Sequence, residues 1–254
     1  MTKLCCHGIN IQMKKSYFFD KKQFVLFCLI IVILISTIFG FVLFLYPKTK
    51  NDAKSVYKNS IKSVVEIKAE TAEVGESFGT AVFVGDGMLI TNAHVVTYKE
   101  SGVKKVFENI AIRFADENDY HEVRLKKFDS DKDLAVLELV NSDCDYKSVS
   151  FFDSEKLEVG EKVYAIGNLN NAGMSLTEGV VSNSNVEVEL EKVKRQVIQC
   201  DITIAEGNSG GALLNENGEI VGLTTFRLKD ASNNVIYGIA YCIPANTILE
   251  YIKN

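Results

Sequence analysis

The run Gly207-Asn208-Ser209-Gly210-Gly211 has the composition of a turn that presents a hydroxyl. A serine becomes a nucleophile when it projects from a tight bend and nearby backbone N–H groups converge on the oxygen that turns negative during attack. Glycines permit that bend and leave room for a substrate. Alone, the pentapeptide also fits an ordinary glycine-rich hairpin. A serine needs a base, and the chain holds three histidines, His7, His94 and His121. His7 is cut off from the serine by a long apolar run. His121 lies in the polar stretch DENDYHEV, which reads as a solvated loop or strand edge. His94 closes the β-type run MLITNAHVV at 88–96; that position also fits a packed core histidine, but the other two are worse placed. The imidazole in turn needs a carboxylate to fix its tautomer and stabilise its charged form. Asp133 opens the apolar run DLAVL and can be held beside the core, whereas Asp129 and Asp131 sit in a more polar turn.

Short β-type runs must position these residues. They fall at 63–69, 78–84, 88–96, 109–114, 122–128 and 134–140, and again at 162–167, 177–182, 195–204, 211–214, 219–226 and 235–243. All are rich in Val, Ile, Thr and aromatics, and turn signals such as GDG at 85–87 and NENG at 215–218 divide them. Many short strands without long intervening helices predict an antiparallel sandwich or barrels. One short helix is expected near the C-terminus, from about Ala245 to Lys253, with Ile248, Leu249 and Ile252 on one face.

TNAHVV, DLAVL and GNSGGALLN, in that order and with spacings of 39 and 76 residues between His94, Asp133 and Ser209, resemble the three signatures of trypsin-like serine proteases, specifically the HtrA (Deg) branch. FGTAVFV, AIGN, TEGVVS and YGIAYCIPAN support the resemblance, which covers residues 60–254. It implies an all-β fold of two antiparallel six-stranded barrels with a short C-terminal helix. It also implies a His94–Asp133–Ser209 triad, an oxyanion hole at Gly207, Asn208 and Ser209, and hydrolysis of peptide bonds in unfolded or damaged proteins. The pocket for the side chain before the cut would have Thr203 at its base, with Thr224, Thr225, Ala240 and Tyr241 as walls. No acidic residue stands at that base, so small or medium apolar side chains fit better than Arg or Lys. Asn208 replaces the aspartate that pairs with a newly cut N-terminus in digestive relatives, so activation by such a cut is not expected. HtrA relatives commonly carry a C-terminal PDZ domain, and none is expected here; a homotrimer is allowed by resemblance alone. Relatives that rest in a switched-off state leave a silent or switch-regulated binding protein as the alternative. An ester hydrolase fits less well: Gly207, Ser209 and Gly211 satisfy GxSxG, but strand-like residues follow where a helix should.

Residues 24–46 hold no charge, and at about 1.5 Å per residue they cover a bilayer core of about 30 Å. Bulky residues continue up to Pro47, which favours an uncleaved anchor over a signal peptide. The expected organisation is a cytoplasmic segment at 1–23, a transmembrane helix at 24–46, a linker at 47–59 and an extracytoplasmic protease domain at 60–254. Residues 1–50 hold seven Lys against one Asp, and the rest holds 21 Lys and Arg against 32 Asp and Glu. An acidic domain argues against nucleic acid as a partner; the expected partners are polypeptide substrates and the bilayer. Cys5 and Cys6 precede the helix, where lipidation or plain thiols are both open. Cys144, Cys200 and Cys242 are odd in number and imply no disulfide framework. No spacing such as CxxC or HExxH appears, so neither a metal nor another cofactor is expected.

Overall fold

The computed structural model describes residues 20–45, 52–141, 144–190, 192–229 and 235–254. Cys5, Cys6 and His7 therefore lie outside the described residues. The chain divides into two compact units, Met1–Thr49 and Lys50–Asn254. In the first, helix α1 (Lys21–Leu45) runs 25 residues. Its stretch Lys21–Phe41 is long and apolar enough to cross a membrane. Its two hydroxyls are satisfied within the helix: Ser36 donates to the Ile33 carbonyl at 2.8 Å and Thr37 to that of Leu34 at 2.9 Å. Without water such internal pairing is what an apolar environment requires.

In the second unit, helix α2 (Ala53–Ser60) leads into β1 (Val64–Thr71), β2 (Gly75–Gly85) and β3 (Met88–Thr91). A single turn, α3 (Ala93–Val96), and the hairpin β4 (Thr97–Glu100) and β5 (Val103–Val106) follow. β6 (Asn109–Arg113), β7 (His121–Asp129) and β8 (Leu134–Leu139) complete a closed barrel in the order β1-β2-β3-β8-β7-β6. The apolar runs are continuous because these strands are buried on both faces. Val65, Ile67, Ala81, Phe83, Leu89, Ala135 and Leu137 fill the barrel. Their neighbours Val64, Val82, Ile90, Leu134 and Val136 point outward into a second core shared with the next sheet. The period-2 alternation of side chains thus builds two cores from one set of strands.

The second sheet contains β9 (Lys162–Asn168), β10 (Met174–Leu190), β11 (Val193–Cys200), β12 (Ala212–Leu214), β13 (Ile220–Lys229) and β14 (Val235–Pro244). They run in the order β10-β11-β14-β13-β12-β9, with β9 also paired to β10. Here the expectation of two plain six-stranded barrels needs correction. Both rings close, and the first also carries register shifts, at β2–β3 and β7–β8, but the second is the more interrupted. The ladders β11–β14 and β12–β9 hold three residue pairs each, and register shifts interrupt β10–β11, β12–β13 and β13–β14. Beyond Val186 and Val197, β10 and β11 pair only with each other, as a two-stranded ribbon. The β4–β5 hairpin is a separate two-stranded sheet that the sequence runs did not reveal.

The single expected helix is also too few. The described residues of the expected linker include α2, capped by Asp52, whose carboxylate accepts from the Ser55 N–H at 2.9 Å. Val56 of α2 is buried in the shared core, as are Ile248 and Tyr251 of the closing helix α4 (Ala245–Lys253). One buried valine on eight mostly polar residues is too weak a pattern to read from sequence. Finally, the run 88–96 is a strand only to Thr91 and then turns helical.

Candidate active site

His94 sits on α3. Ala93, Val95 and Val96 are buried there, and the His94 side chain alone reaches out, 46% exposed. The Thr97 hydroxyl closes the turn by donating to the Ala93 carbonyl at 2.7 Å. A side chain at Gly79 would meet Val95 Cγ1 at 2.5 Å, so this glycine lets β2 run directly beneath the turn.

Asp133 immediately precedes β8 in a left-handed conformation, φ 56°, and its side chain is 9% exposed. The Asn92 amide donates to its carbonyl at 3.0 Å. Asp133 Oδ2 lies 2.8 Å from His94 Nδ1, and Oδ1 accepts from the His94 backbone N–H at 3.0 Å. One carboxylate therefore fixes both the ring and the backbone of the histidine. Oδ2 also accepts from the Thr225 hydroxyl at 2.8 Å. Burial pushes the Asp133 carboxyl up, but hydrogen bonds from the His94 ring, its charge, its backbone N–H and the Thr225 hydroxyl outweigh burial and hold it below the usual carboxylate range. The neighbouring Asp129 carboxylate acts elsewhere. Asp129 accepts from the backbone N–H groups of Asp131 and Lys132, at 2.8 and 3.0 Å. The Asp131 carbonyl accepts from Arg195 on β11 at 2.6 Å.

Ser209 lies in the connection from β11 to β12. The Ala205 carbonyl accepts from the Asn208 N–H at 3.2 Å, closing a turn whose third residue, Gly207, has φ 87°. That matches a type II turn, where glycine is demanded. A Cβ on Gly207 would fall 2.0 Å from the Asn168 carbonyl oxygen, which excludes any other residue. The Asn170 N–H holds the Glu206 carbonyl at 2.7 Å. Because a trans peptide points its C=O and N–H in opposite directions, this bond turns the Gly207 N–H away from Asn170. Asn208, expected in an oxyanion hole with Gly207 and Ser209, has its N–H taken by the Ala205 carbonyl.

The loop is docked on the first barrel. The Thr80 N–H donates to the Ser209 carbonyl at 2.9 Å, and the Thr80 hydroxyl donates to the Gly207 carbonyl at 2.7 Å. Thr224 and Thr225, adjacent on β13, face opposite ways. Thr224 is buried and donates to the Asn208 carbonyl at 2.5 Å, so it braces the loop. Thr225 donates to Asp133, and its carbonyl accepts from the Ser209 hydroxyl at 3.2 Å. Among the described residues, that is the bond Ser209 Oγ makes, and none joins it to His94.

Both threonines were expected as pocket walls, and the structure gives them these positioning contacts instead. Thr203 is exposed, with its carbonyl facing the Thr177 hydroxyl at 3.4 Å. Ala240 is buried opposite Cys200 and Arg227, and the Tyr241 ring tilts against Phe226 at 5.0 Å. A cleft of about 510 Å³ beside His94 and Asp133 is bordered by Tyr98, Leu190, Arg195, Phe226 and Arg227. Sequence reasoning missed Thr225 as the second partner of Asp133, and the only signal was a hydroxyl in an apolar strand.

Two packed β-sheets joined at a Ser, His and Asp in this arrangement define the trypsin-like class. The family described as "Trypsin-like peptidase domain" matches residues 79–223. The chain is 32% identical over 184 residues to the periplasmic pH-dependent serine endoprotease DegQ of Escherichia coli, covering 71% of this chain and 38% of that protein. It is 30% identical over 202 residues to the serine endoprotease DegS of Haemophilus influenzae, covering 78% and 56%. The solved HtrA-type protease AlgW with tripeptide superposes with a TM-score of 0.66 at 25% identity, covering 80% of this chain and 62% of that one. The chain thus spans less than two thirds of each of these proteins. It belongs to the HtrA/Deg family of trypsin-like serine protease domains.

Proposed function

We propose that the chain is a membrane-anchored serine endopeptidase with His94, Asp133 and Ser209 as its triad. The observation that carries this reading is the grip of the buried Asp133 carboxylate on the His94 ring and backbone. A carboxylate on Nδ1 leaves the Nε2 lone pair to act as base. Ser209 Oγ turns from the Thr225 carbonyl to His94, gives up its proton to Nε2 and attacks the substrate carbonyl. The N–H groups of Gly207 and Ser209 hold the oxyanion, for which Asn170 and Thr80 orient the loop. His94 then protonates the leaving amine, and water resolves the acyl-enzyme. Helix α1 anchors the chain with its N-terminus cytoplasmic, and unfolded or damaged proteins are the substrates. The test is casein degradation by the full chain in detergent beside its Ser209→Ala variant. Degradation by the parent alone is expected; equal degradation by both would overturn the reading.

The bond from Ser209 to the Thr225 carbonyl favours a second reading, a resting protein that binds polypeptides until switched on. Stoichiometric labelling of Ser209 by a fluorophosphonate would exclude it, and absent labelling with retained casein binding would favour it.

A further inference from the structure

A second carboxylate–histidine pair stands outside the triad. His121 opens β7, its backbone paired with Ile112 of β6. Its ring stands edge-on to Phe114, centroids 5.6 Å apart at 78°, and Phe114 is buried in the first barrel. Nε2 of His121 lies 2.6 Å from Glu117 Oε2, and Nδ1 lies 3.3 Å from Cys144 Sγ. A carboxylate only accepts, so Nε2 carries the ring proton and Nδ1 is left with a lone pair aimed at the thiol. Cys144 is partly exposed, in the segment that leads from β8 to the second sheet.

We propose that Cys144, His121 and Glu117 form a reactive-thiol site, a site of modification by small disulfides. His121 Nδ1 takes the Cys144 proton, and Glu117 stabilises the imidazolium. The sulfur attacks one sulfur of the disulfide, whose S–S bond breaks as the new one forms. The departing thiolate recovers the proton from Nδ1, so no other oxidant enters. Asp145, the adjacent carboxylate, is paired with Lys62 and so opposes the thiolate less. The other cysteines of the second unit provide a contrast: Cys200 and Cys242 are fully buried. Contact with Cys200, and then burial, holds the Cys242 thiol well above its ordinary range. An adduct on Cys144 would sit two residues from Tyr146, whose ring stacks on Phe83 at 4.3 Å, so the modification abuts the core of the first barrel.

The site does not depend on the peptidase reading, so it is tested in the full-length Ser209→Ala chain in detergent. The probe is oxidised glutathione at pH 7, with each cysteine followed by peptide mass mapping. Cys144 is expected to form the mixed disulfide about tenfold faster than in His121→Gln, and about tenfold faster than in a free peptide of residues 141–148. Glu117→Gln should fall between the parent and His121→Gln. Circular dichroism confirms that each variant is folded. Equal rates in parent and His121→Gln, or a parent no faster than the free peptide, would overturn the proposal.

Discussion

His94 and His121 are each held by a carboxylate, but through opposite ring nitrogens. Asp133 binds Nδ1 of His94 and leaves Nε2 open, whereas Glu117 binds Nε2 of His121 and leaves Nδ1 facing Cys144. The environments differ more than the chemistry. The Asp133 side chain is 9% exposed and receives bonds from the His94 ring, the His94 backbone and Thr225. Glu117 is 42% exposed on a loop. A buried, multiply bonded carboxylate acts at low dielectric with fixed geometry; an exposed one is screened by water. The first arrangement suits a demanding acyl transfer, and the second suits exchange at sulfur, which is already a good nucleophile.

The sharpest way to break this contrast is to remove each nucleophile. Ser209→Ala should lower kcat for peptide hydrolysis by about 10⁶-fold, whereas Cys144→Ser should leave it within about twofold. Comparable losses in steady-state assays would show that the two sites are one machine. The carboxylates come next. Asp133→Asn should cost about 10⁴-fold in kcat, because an amide cannot hold the tautomer. Glu117→Gln should slow disulfide exchange at Cys144 only about threefold, as befits a screened pair. Thr225→Val tests the buried bond behind Asp133. Its loss leaves one acceptor less satisfied and should lower kcat about tenfold, with KM little changed.

The smallest effect is on stability. The folded Asp133 carboxyl lies below its ordinary value, so it binds fewer protons than the unfolded chain does near pH 4. Its contribution is present above the unfolded value of about 3.9 and is lost as pH falls through the lower folded value. Tm measured from pH 6 down to 2 should therefore fall less steeply in Asp133→Asn than in the parent. An unchanged slope would mean that the carboxylate is no better stabilised folded than unfolded.

The residues now assigned to the site were unevenly visible in the sequence. His94, Asp133 and Ser209 stand beside apolar runs in a recognisable order, and the structure brings the first two into contact. Asn208 stands between the two residues expected to supply an oxyanion hole, and only the fold shows its N–H bonded to the Ala205 carbonyl. Thr225 looked like a pocket wall because its partner lies 92 residues away. His121 looked like a solvated edge because Cys144, 23 residues later, carries no local signal of proximity.

By itself the sequence determined the apolar span of α1, the β-rich character of the rest and the order His, Asp, Ser. Each follows from local composition, since burial period and turn chemistry are written within a few residues. Only the tertiary structure decided that the second sheet is interrupted by shifts, that α2 packs into the shared core, and that Thr80, Asn170 and Thr225 hold the Ser209 loop and the Asp133 carboxylate. Those hydrogen bonds join residues as far apart in the chain as Thr80 and Ser209, and they exist because the alternating faces of β1, β2, β3 and β8 bury one row of side chains inside the barrel and the other against the second sheet.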